Sequence, residues 1–456
     1  MGSVEADTGG GMSTPPDKPL ITDFSESEKL QERFHKAIPG GAHTYAKGDD
    51  QFPEGMPLYV TRGMGCHVWD RNGNEYIEYG MGLRAVSLGH AYAPVIEAAH
   101  SQMLLGSNFV RPATIELECA EAFLEAVPSA EMVKFGKNGS DATSAAIKLS
   151  RAYTGRDLVA ICAEHPFFSV DDWFIGSTQM SAGIPRIIRD LTVKFHYNDP
   201  ESLKDLFALY PGRIACVILE AEKDVPPQAD FLHRVRKMCH DEGTVFIIDE
   251  MINGLRLHVA GGHGYHNVDP DLSAFGKALG NGFSISALAG KREIMQLGGL
   301  QHSGERVFLM SLTHGAETHC LAAARAILQI YRTQPVVETL WKQGERLARG
   351  VTRAVTELGL GRFFATLGRP CCMVYATRDH EGKPSQLFRT LFLQETIRRG
   401  LLAPSFVVSY SHTDDDIDRT IQIVHEALSV YRNALDEGIA KYLPGRPVKP
   451  VFRPFN

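Results

Sequence analysis

The chain of 456 residues is 44% hydrophobic and 22% charged, which is ordinary for a globular protein of about two or three domains. Its formal net charge of −7 offers no basic surface, and no apolar run reaches the ~18 residues of a membrane span. We therefore expect neither nucleic acid nor a membrane as partner. The eight cysteines form no Cys-x-x-Cys pair, which predicts reduced thiols and a cytoplasmic protein.

The first predicted elements are a tail, a helix and a hairpin. Residues 1–23 are rich in Gly, Ser, Pro and Asp and lack a signal-peptide core, so we expect a disordered tail. Helical spacing over 24–38 stops at Pro39 and two glycines. Short strands over 66–70 and 75–79 flank Asn72-Gly73, a strong hairpin signal.

From residue 93 onward, helices and strands alternate, which is typical of a mostly parallel, doubly wound α/β sheet. The pattern predicts helices over 93–104, 114–127, 141–153, 203–209 and 231–241, and strands over 132–135, 158–162, 193–195, 214–219 and 245–249. After about residue 322 the pattern is helical to 357 and then mixed, which predicts a smaller C-terminal domain.

Two charged residues at strand ends indicate the chemistry. Lys277 follows a strand-like run over 271–275 and enters a glycine-rich loop, and Asp249 ends the strand over 245–249. Pyridoxal phosphate (PLP) needs an amine for its Schiff base and a carboxylate that keeps its pyridine nitrogen protonated. Alone, Lys277 would be a solvated loop lysine and Asp249 a turn residue. Together they predict a PLP site.

Further segments fit the same cofactor. Gly139 and Ser140 open a helix after a strand, where free amides favour a phosphate, although Ser140 could simply cap the helix. Phe167 could stack on one face of the ring and Met251 on the other, although Phe167 could also pack in the core. Thr313 offers a hydroxyl to the phosphate. The histidines show no His-Glu-x-x-His pattern, so no metal site is predicted.

With these segments the chain resembles the class III (fold-type I) PLP-dependent aminotransferases, and among them the glutamate-1-semialdehyde 2,1-aminomutase branch. The resemblance runs from about residue 34 to 428 and is carried by the stretches 37–41, 68–77, 151–156, 269–277 and 287–295. It implies Lys277 as the Schiff-base lysine and Asp249 as the pyridinium partner. Phe167 matches the ring-stacking position, and Gly139 and Ser140 match the phosphate loop.

The resemblance also implies the architecture and the assembly. A large, mostly parallel central sheet domain is expected over 86–325, and a smaller α+β domain is expected from both chain ends, 24–85 and 326–456. Thr313 matches a threonine that reaches the phosphate of the neighbouring subunit. The resemblance therefore implies a homodimer with shared active sites.

Departures from the aminomutase pattern concern the substrate. Leu83 replaces an aromatic residue, Lys47 lies near the place of an arginine, and Phe168 replaces a histidine. Glu220-Ala221-Glu222 replaces Glu-Pro-Val. The predicted substrate contacts are His43, Tyr45, Lys47, Asp49, Arg84 and Glu222.

The acidic residues among these contacts favour a polyhydroxylated or cationic substrate, although Asp49-Asp50 could also be a solvated turn. The predicted function is an aminotransferase of sugar or aminoglycoside (antibiotic) biosynthesis, with a donor such as glutamate and an oxo-sugar or amino sugar as partner. Alternatives are glutamate-1-semialdehyde 2,1-aminomutase itself, a PLP-dependent dehydratase, lyase or epimerase, and a non-catalytic PLP-fold regulator.

Overall fold

A computed structural model of the chain describes residues 19–165, 167–315 and 317–455. The tail predicted over 1–23 therefore lies mostly outside the described residues. Among the described residues, no helix combines the length and the apolar character that crossing a bilayer requires.

Thirteen strands and fifteen α-helices form within the described residues. The strands are β1 (Val60–Met64), β2 (His67–Asp70), β3 (Glu75–Glu78), β4 (Met132–Gly136), β5 (Leu158–Cys162), β6 (Thr192–Phe195), β7 (Ile214–Glu220), β8 (Val245–Asp249), β9 (Leu272–Phe275), β10 (Ser286–Gly290), β11 (Phe364–Leu367), β12 (Val374–Thr377) and β13 (Leu401–Leu402). The helices are α1 (Ser25–Ala37), α2 (Met81–Arg84), α3 (Ala93–Met103), α4 (Thr114–Ala126), α5 (Gly139–Thr154), α6 (Asp172–Ile175), α7 (Arg186–Arg189), α8 (Pro200–Leu209), α9 (Phe231–Asp241), α10 (Gly261–His266), α11 (Arg292–Met295), α12 (Thr318–Thr333), α13 (Val336–Glu357), α14 (Gln386–Ile397) and α15 (Asp414–Glu437).

The large domain is built on a seven-stranded sheet with the spatial order β4-β10-β9-β8-β7-β5-β6. All its pairings are parallel except those of β10, which runs antiparallel to both β4 and β9. Helix α5 packs its apolar face on one side of the sheet, and α8 and α9 pack on the other. Every residue of β5, β7 and β8 is buried, as their uninterrupted apolar runs require. The doubly wound α/β prediction is confirmed.

The small domain joins the two ends of the chain. β2 and β3 form the predicted hairpin, with Trp69 opposite Glu75, and β13 adds to it in parallel, with Leu401 opposite Ile77. Helices α13 and α15 pack against each other beside this sheet. The limits predicted at 24–85, 86–325 and 326–456 stay predictions. Helix α12 runs through residue 326 and packs on α3 and α4.

Candidate active site

The carboxyl ends of three neighbouring strands bring the predicted catalytic pair to one edge of the large sheet. Asp249 is the last residue of β8, and Lys277 lies two residues beyond the end of β9, its neighbour. Glu220 ends β7 directly opposite Asp249 in the register. Lys277 has a φ of 44°, a left-handed conformation that turns the chain at this point. One amine and two carboxylates therefore meet at this edge.

The buried carboxylate of Asp249 calls for a positive partner. Asp249 is 2% exposed, and its Oδ1 accepts a 2.9 Å hydrogen bond from the amide of Met251. Burial raises the pKa of Asp249 to about 8; the Glu220 carboxylate acts in the same direction and Lys277 opposes it. A cation held beside this carboxylate compensates its lost solvation. A protonated pyridine nitrogen provides that charge.

The environment of Lys277 favours a neutral amine. Burial lowers the pKa of Lys277, and the positive charge of Arg84 acts in the same direction. The carboxylates of Asp249 and Glu220 act against both. A lowered pKa increases the fraction of neutral, nucleophilic amine, which Schiff-base formation requires.

Glu220 is a residue of this site that the sequence analysis did not assign. It is 4% exposed, its backbone amide donates a 3.0 Å hydrogen bond to Nδ1 of His165, and no protein group in the described part of the chain bonds its Oε2. Burial raises the pKa of Glu220 to about 7. The available signal was an acid that ends the apolar run of β7, the same pattern that identified Asp249.

The start of α5 provides groups for a phosphate. Gly139 and Ser140 are its first two residues, so their amides have no carbonyl partner within the helix. The Ser140 hydroxyl oxygen accepts a 3.0 Å hydrogen bond from the Val170 amide, which leaves its own O–H to donate. Asp141 Oδ2 accepts hydrogen bonds from the amides of Lys137 and Asn138, and these bonds hold the loop in shape.

Two apolar side chains border the same region. Phe167 is 44% exposed, with its ring packed edge-on against Phe174 at 5.7 Å between centroids. Met251 lies between two glycines, since a Cβ on Gly139 would come within 2.9 Å of its Sδ and a Cβ on Gly276 within 2.7 Å. Both glycines are therefore required for Met251 to occupy this place. The ring-facing roles of Phe167 and Met251 stay predictions.

Thr313 lies at the surface of the subunit. It is exposed, and its backbone oxygen accepts a 3.0 Å hydrogen bond from the Asn108 side chain. Its predicted contact is to the phosphate of a neighbouring subunit, a role for which an exposed position is necessary.

Five of the six predicted substrate contacts line two neighbouring cavities. His43, Lys47, Asp49 and Arg84 line a cavity of about 1080 Å³ between the small-domain segments. Tyr45 is 64% exposed on the loop between α1 and β1, residues 38–59, which we call the N-terminal loop. Glu222 lines a smaller cavity of about 80 Å³ that also includes Arg84. Arg84 and Val374 line both cavities, and the charge of Arg84 acts on Lys277.

Two of the predicted acidic contacts already have partners within the chain. Asp49 Oδ2 lies 2.6 Å from Nε2 of His35 and accepts a 3.0 Å hydrogen bond from Gln31. Glu222 is 2% exposed and accepts hydrogen bonds of 2.7 and 3.0 Å from Arg369, with His266 at 2.8 Å. Their substrate roles stay predictions, and these bonds give both carboxylates a structural function.

The turn that carries Arg84 is strained and braced. Met81, Leu83 and Arg84 have φ values of 43°, 59° and 72°, a left-handed run that costs non-glycine residues energy. The Met81 amide donates a 2.7 Å hydrogen bond to Glu78, and the buried Arg256 donates one of 3.2 Å to the Arg84 carbonyl. Strain held by such contacts is typical of a functional segment.

The residues of this edge fit PLP. The buried Asp249 suits a pyridinium, the amine of Lys277 suits an aldehyde, and the free amides and hydroxyl at the start of α5 suit a phosphate. None of these features alone selects the cofactor. Their occurrence together at one sheet edge is what selects PLP.

Comparisons with known proteins agree with this chemistry. Residues 45–359 match the family model of aminotransferase class-III. The glutamate-1-semialdehyde 2,1-aminomutase of Alkaliphilus metalliredigens is 31% identical over 91% of this chain and 99% of that protein. The PLP internal aldimine form of the FumI protein from Sphingopyxis sp. MTA144 is 27% identical, with a TM-score of 0.83 over 93% of this chain and 99% of that one. An omega-transaminase from Sphaerobacter thermophilus shares the fold, with 24% identity and a TM-score of 0.79 over 90% of this chain and 98% of that one.

Proposed function

The chain belongs to the class-III aminotransferase family and is a PLP-dependent transaminase, and from this premise we propose that it moves an amino group from an amino acid such as glutamate to an oxo-sugar or oxidised aminoglycoside. The observation that carries the proposal is the cavity of about 1080 Å³ that Arg84 lines. A five-carbon semialdehyde would fill little of it, whereas cavities of this size suit larger ligands. Leu83, in place of an aromatic residue, leaves that space open.

The chain's own residues would divide the work of the reaction. PLP, when bound, supplies the aldehyde that takes up the amine and the electron-withdrawing ring that stabilises negative charge on the substrate carbon. Lys277 would hold the aldehyde between turnovers and, once displaced, move the proton at the substrate carbon. Asp249 would keep the ring nitrogen protonated, and the start of α5 would bind the phosphate.

A homodimer with shared active sites is part of the proposal. Exposed apolar side chains follow α3, with Leu104 at 75%, Leu105 at 74% and Val110 at 99% exposure. Apolar surface of this kind favours association. The hydrogen bond from Asn108 to Thr313 ties this segment to the loop that would enter the partner's site.

We propose a cytoplasmic location because of the state of the cysteines. All eight are free thiols, and seven of them are buried. This pattern suits a reducing compartment.

Amine transfer from glutamate to a panel of oxo-sugars and 6-oxo aminoglycosides tests the proposal. Formation of the amino product, with 2-oxoglutarate released, is expected for at least one of them. Failure with every member of the panel would contradict it.

The second candidate is glutamate-1-semialdehyde 2,1-aminomutase activity, which the 31% identity to the aminomutase of Alkaliphilus metalliredigens favours. Conversion of the semialdehyde to 5-aminolevulinate without an added donor would establish it. Deuterium incorporation from solvent without amine transfer would instead indicate epimerisation or elimination.

A further inference from the structure

Part of the wall of the large cavity is formed by α14 and by the C-terminal strap, which we define as residues 445–453. The strap is fastened to the N-terminal loop by backbone bonds. The Arg446 amide donates a 2.9 Å hydrogen bond to Glu54, and the Lys449 amide donates one of 2.9 Å to the Asp50 carbonyl. Arg453 adds an ion pair of 2.5 Å with the Asp50 carboxylate. The strap is therefore a fixed part of the cavity wall.

Three of the four acids that line this cavity have a basic side chain as partner within the protein. Asp49 is bonded by His35 and Gln31, and Asp50 by Arg453. Glu78 accepts the Met81 amide and lies 3.1 Å from Nε2 of His90, and Glu54 accepts the Arg446 amide. The three paired carboxylates therefore have reduced capacity for a cationic ligand, and Glu54, which has no basic partner among the described residues, is the exception.

The cations that line the cavity are in the opposite situation. These cations are Lys47, Arg84, Arg389, Arg446 and Lys449. Within residues 19–165, 167–315 and 317–455, none of the five side chains forms an ion pair with an acid. Among the described residues, the Arg389 guanidinium donates to the Pro404 carbonyl alone, at 2.8 Å, and lies 4.9 Å from the Tyr375 ring centroid. The cavity thus presents uncompensated positive charge.

Arg446 carries the clearest sign of a missing partner. Its Nη2 donates a 2.8 Å hydrogen bond to the Asp49 carbonyl, but its Nη1 is buried with no acceptor in the described part of the chain. A buried charged donor without an acceptor costs free energy, and a bound anion removes that cost. A guanidinium fork is also the geometry that binds a carboxylate or phosphate through two bonds.

We propose that the acceptor carries a negative charge, a carboxylate or a phosphate, at the end remote from its carbonyl, and that Arg389 and Arg446 select it. This inference rests on the proposed function, since it names the kind of oxo-sugar that the same site takes. Arg84, whose charge acts on Lys277, lines the same cavity as the strap. An acidic or phosphorylated sugar fits this arrangement, and a cationic aminoglycoside does not.

Binding to the holoenzyme tests the proposal without turnover. Sorbitol, sorbitol 6-phosphate and gulonate lack a reactive carbonyl and differ in charge at one end. Calorimetry should show that the phosphate, the carboxylate or both bind at least about tenfold more tightly than sorbitol, as charge-assisted hydrogen bonds predict. The two anionic ligands also separate a phosphate site from a carboxylate site. Equal affinity for all three would overturn the inference.

Variants locate the effect. Arg389→Gln and Arg446→Gln should each abolish most of the preference for the anion, whereas Arg389→Lys should retain part of it. Arg453→Gln is the matched control, because it loosens the strap through Asp50 without removing either proposed anion contact. An equal loss in Arg453→Gln, or an unchanged preference in both Gln variants, would refute the assignment.

Turnover separates this inference from the proposed function. Glucose, glucuronate, glucose 6-phosphate and 6-amino-6-deoxyglucose share an aldehyde and differ at C6. Comparing kcat/KM ratios between wild type and variant cancels the small fraction of open-chain sugar, and expressing each ratio relative to glucose cancels any change in the half-reaction with glutamate. Amination without any charge preference would refute the inference alone. Tight binding of sorbitol 6-phosphate or gulonate without amination of any oxo-sugar would refute the proposed function alone.

Discussion

The buried Asp249 should destabilise the folded chain at alkaline pH when PLP is removed, and Asp249→Asn should relieve this. A carboxyl whose pKa is about 8 in the folded protein and about 3.9 in the unfolded chain stays protonated to a higher pH in the folded state. The folded state then binds more protons than the unfolded state above about pH 4. The stabilisation from Asp249 is therefore complete at low pH and is lost as the pH rises through 8.

The magnitude follows from the two pKa values. Linkage gives a loss of roughly 3 kcal/mol between pH 6 and pH 9 for this single group. The neighbouring Glu220, whose pKa is about 7, should lose about half as much, roughly 1.5 kcal/mol over the same interval. Asp249→Asn should not show the loss of stability due to Asp249, and Glu220→Gln should not show that due to Glu220, because an amide does not titrate.

Urea unfolding of the apoproteins at pH 6 and pH 9 measures the effect. The free energy of unfolding of Asp249→Asn relative to wild type should rise by roughly 3 kcal/mol between the two pH values, and that of Glu220→Gln by about half of this. With PLP bound, the pyridinium charge should reverse the sign for Asp249→Asn, which then becomes the less stable protein. A relative stability that does not change with pH would refute the assignment of a raised pKa to Asp249.

Three further changes test other parts of the site. Lys277→Ala should bind PLP without a covalent link that borohydride can trap, and its turnover should fall below detection; a trapped adduct would show another lysine in this role. Leu83→Gly should be about 1 kcal/mol more stable than Leu83→Ala, because only glycine tolerates the left-handed φ of 59° at this position without strain; equal stability in urea would argue against a strained turn. Mixed dimers of Lys277→Ala and Thr313→Ala subunits should contain one intact site if Thr313 crosses to the partner. Co-purified hybrids should then have about half of the wild-type activity, more than the Thr313→Ala homodimer. No recovery would place Thr313 in its own subunit's site.

The sequence was sufficient for the frame of the fold and for placing Asp249 and Lys277 at the ends of strands that the structure brings side by side. The buried strands β5, β7 and β8 are continuous apolar runs, so their ends, and with them Asp249, can be located by composition alone. The strand β10 was not predicted from the pattern because Ser286–Gly290 consists mostly of small residues with low strand propensity. Its place between β4 and β9 is decided by packing.

The substrate side was harder to predict because partners from distant segments decide which charges are available. Asp49 and Glu222 are acidic residues in loops, which favoured a cationic substrate. Their partners His35 and Arg369 lie 14 and 147 positions away in the chain. No local pattern shows that a charge is already compensated, and none indicates that Arg446 returns to the N-terminal loop.

The antiparallel course of β10 has a consequence for the order of folding. Because β9 and β10 are direct neighbours, the loop that carries Lys277 joins two strands that pair within a span of fewer than 20 residues, from Leu272 to Gly290. Short-range pairing closes quickly, whereas the parallel contact of β8 with β7 requires a crossover through α9. We therefore expect the lysine-bearing hairpin to gain protection from hydrogen exchange before the sheet edge at Asp249 is complete, so that the chain acquires its reactive amine before its cofactor site.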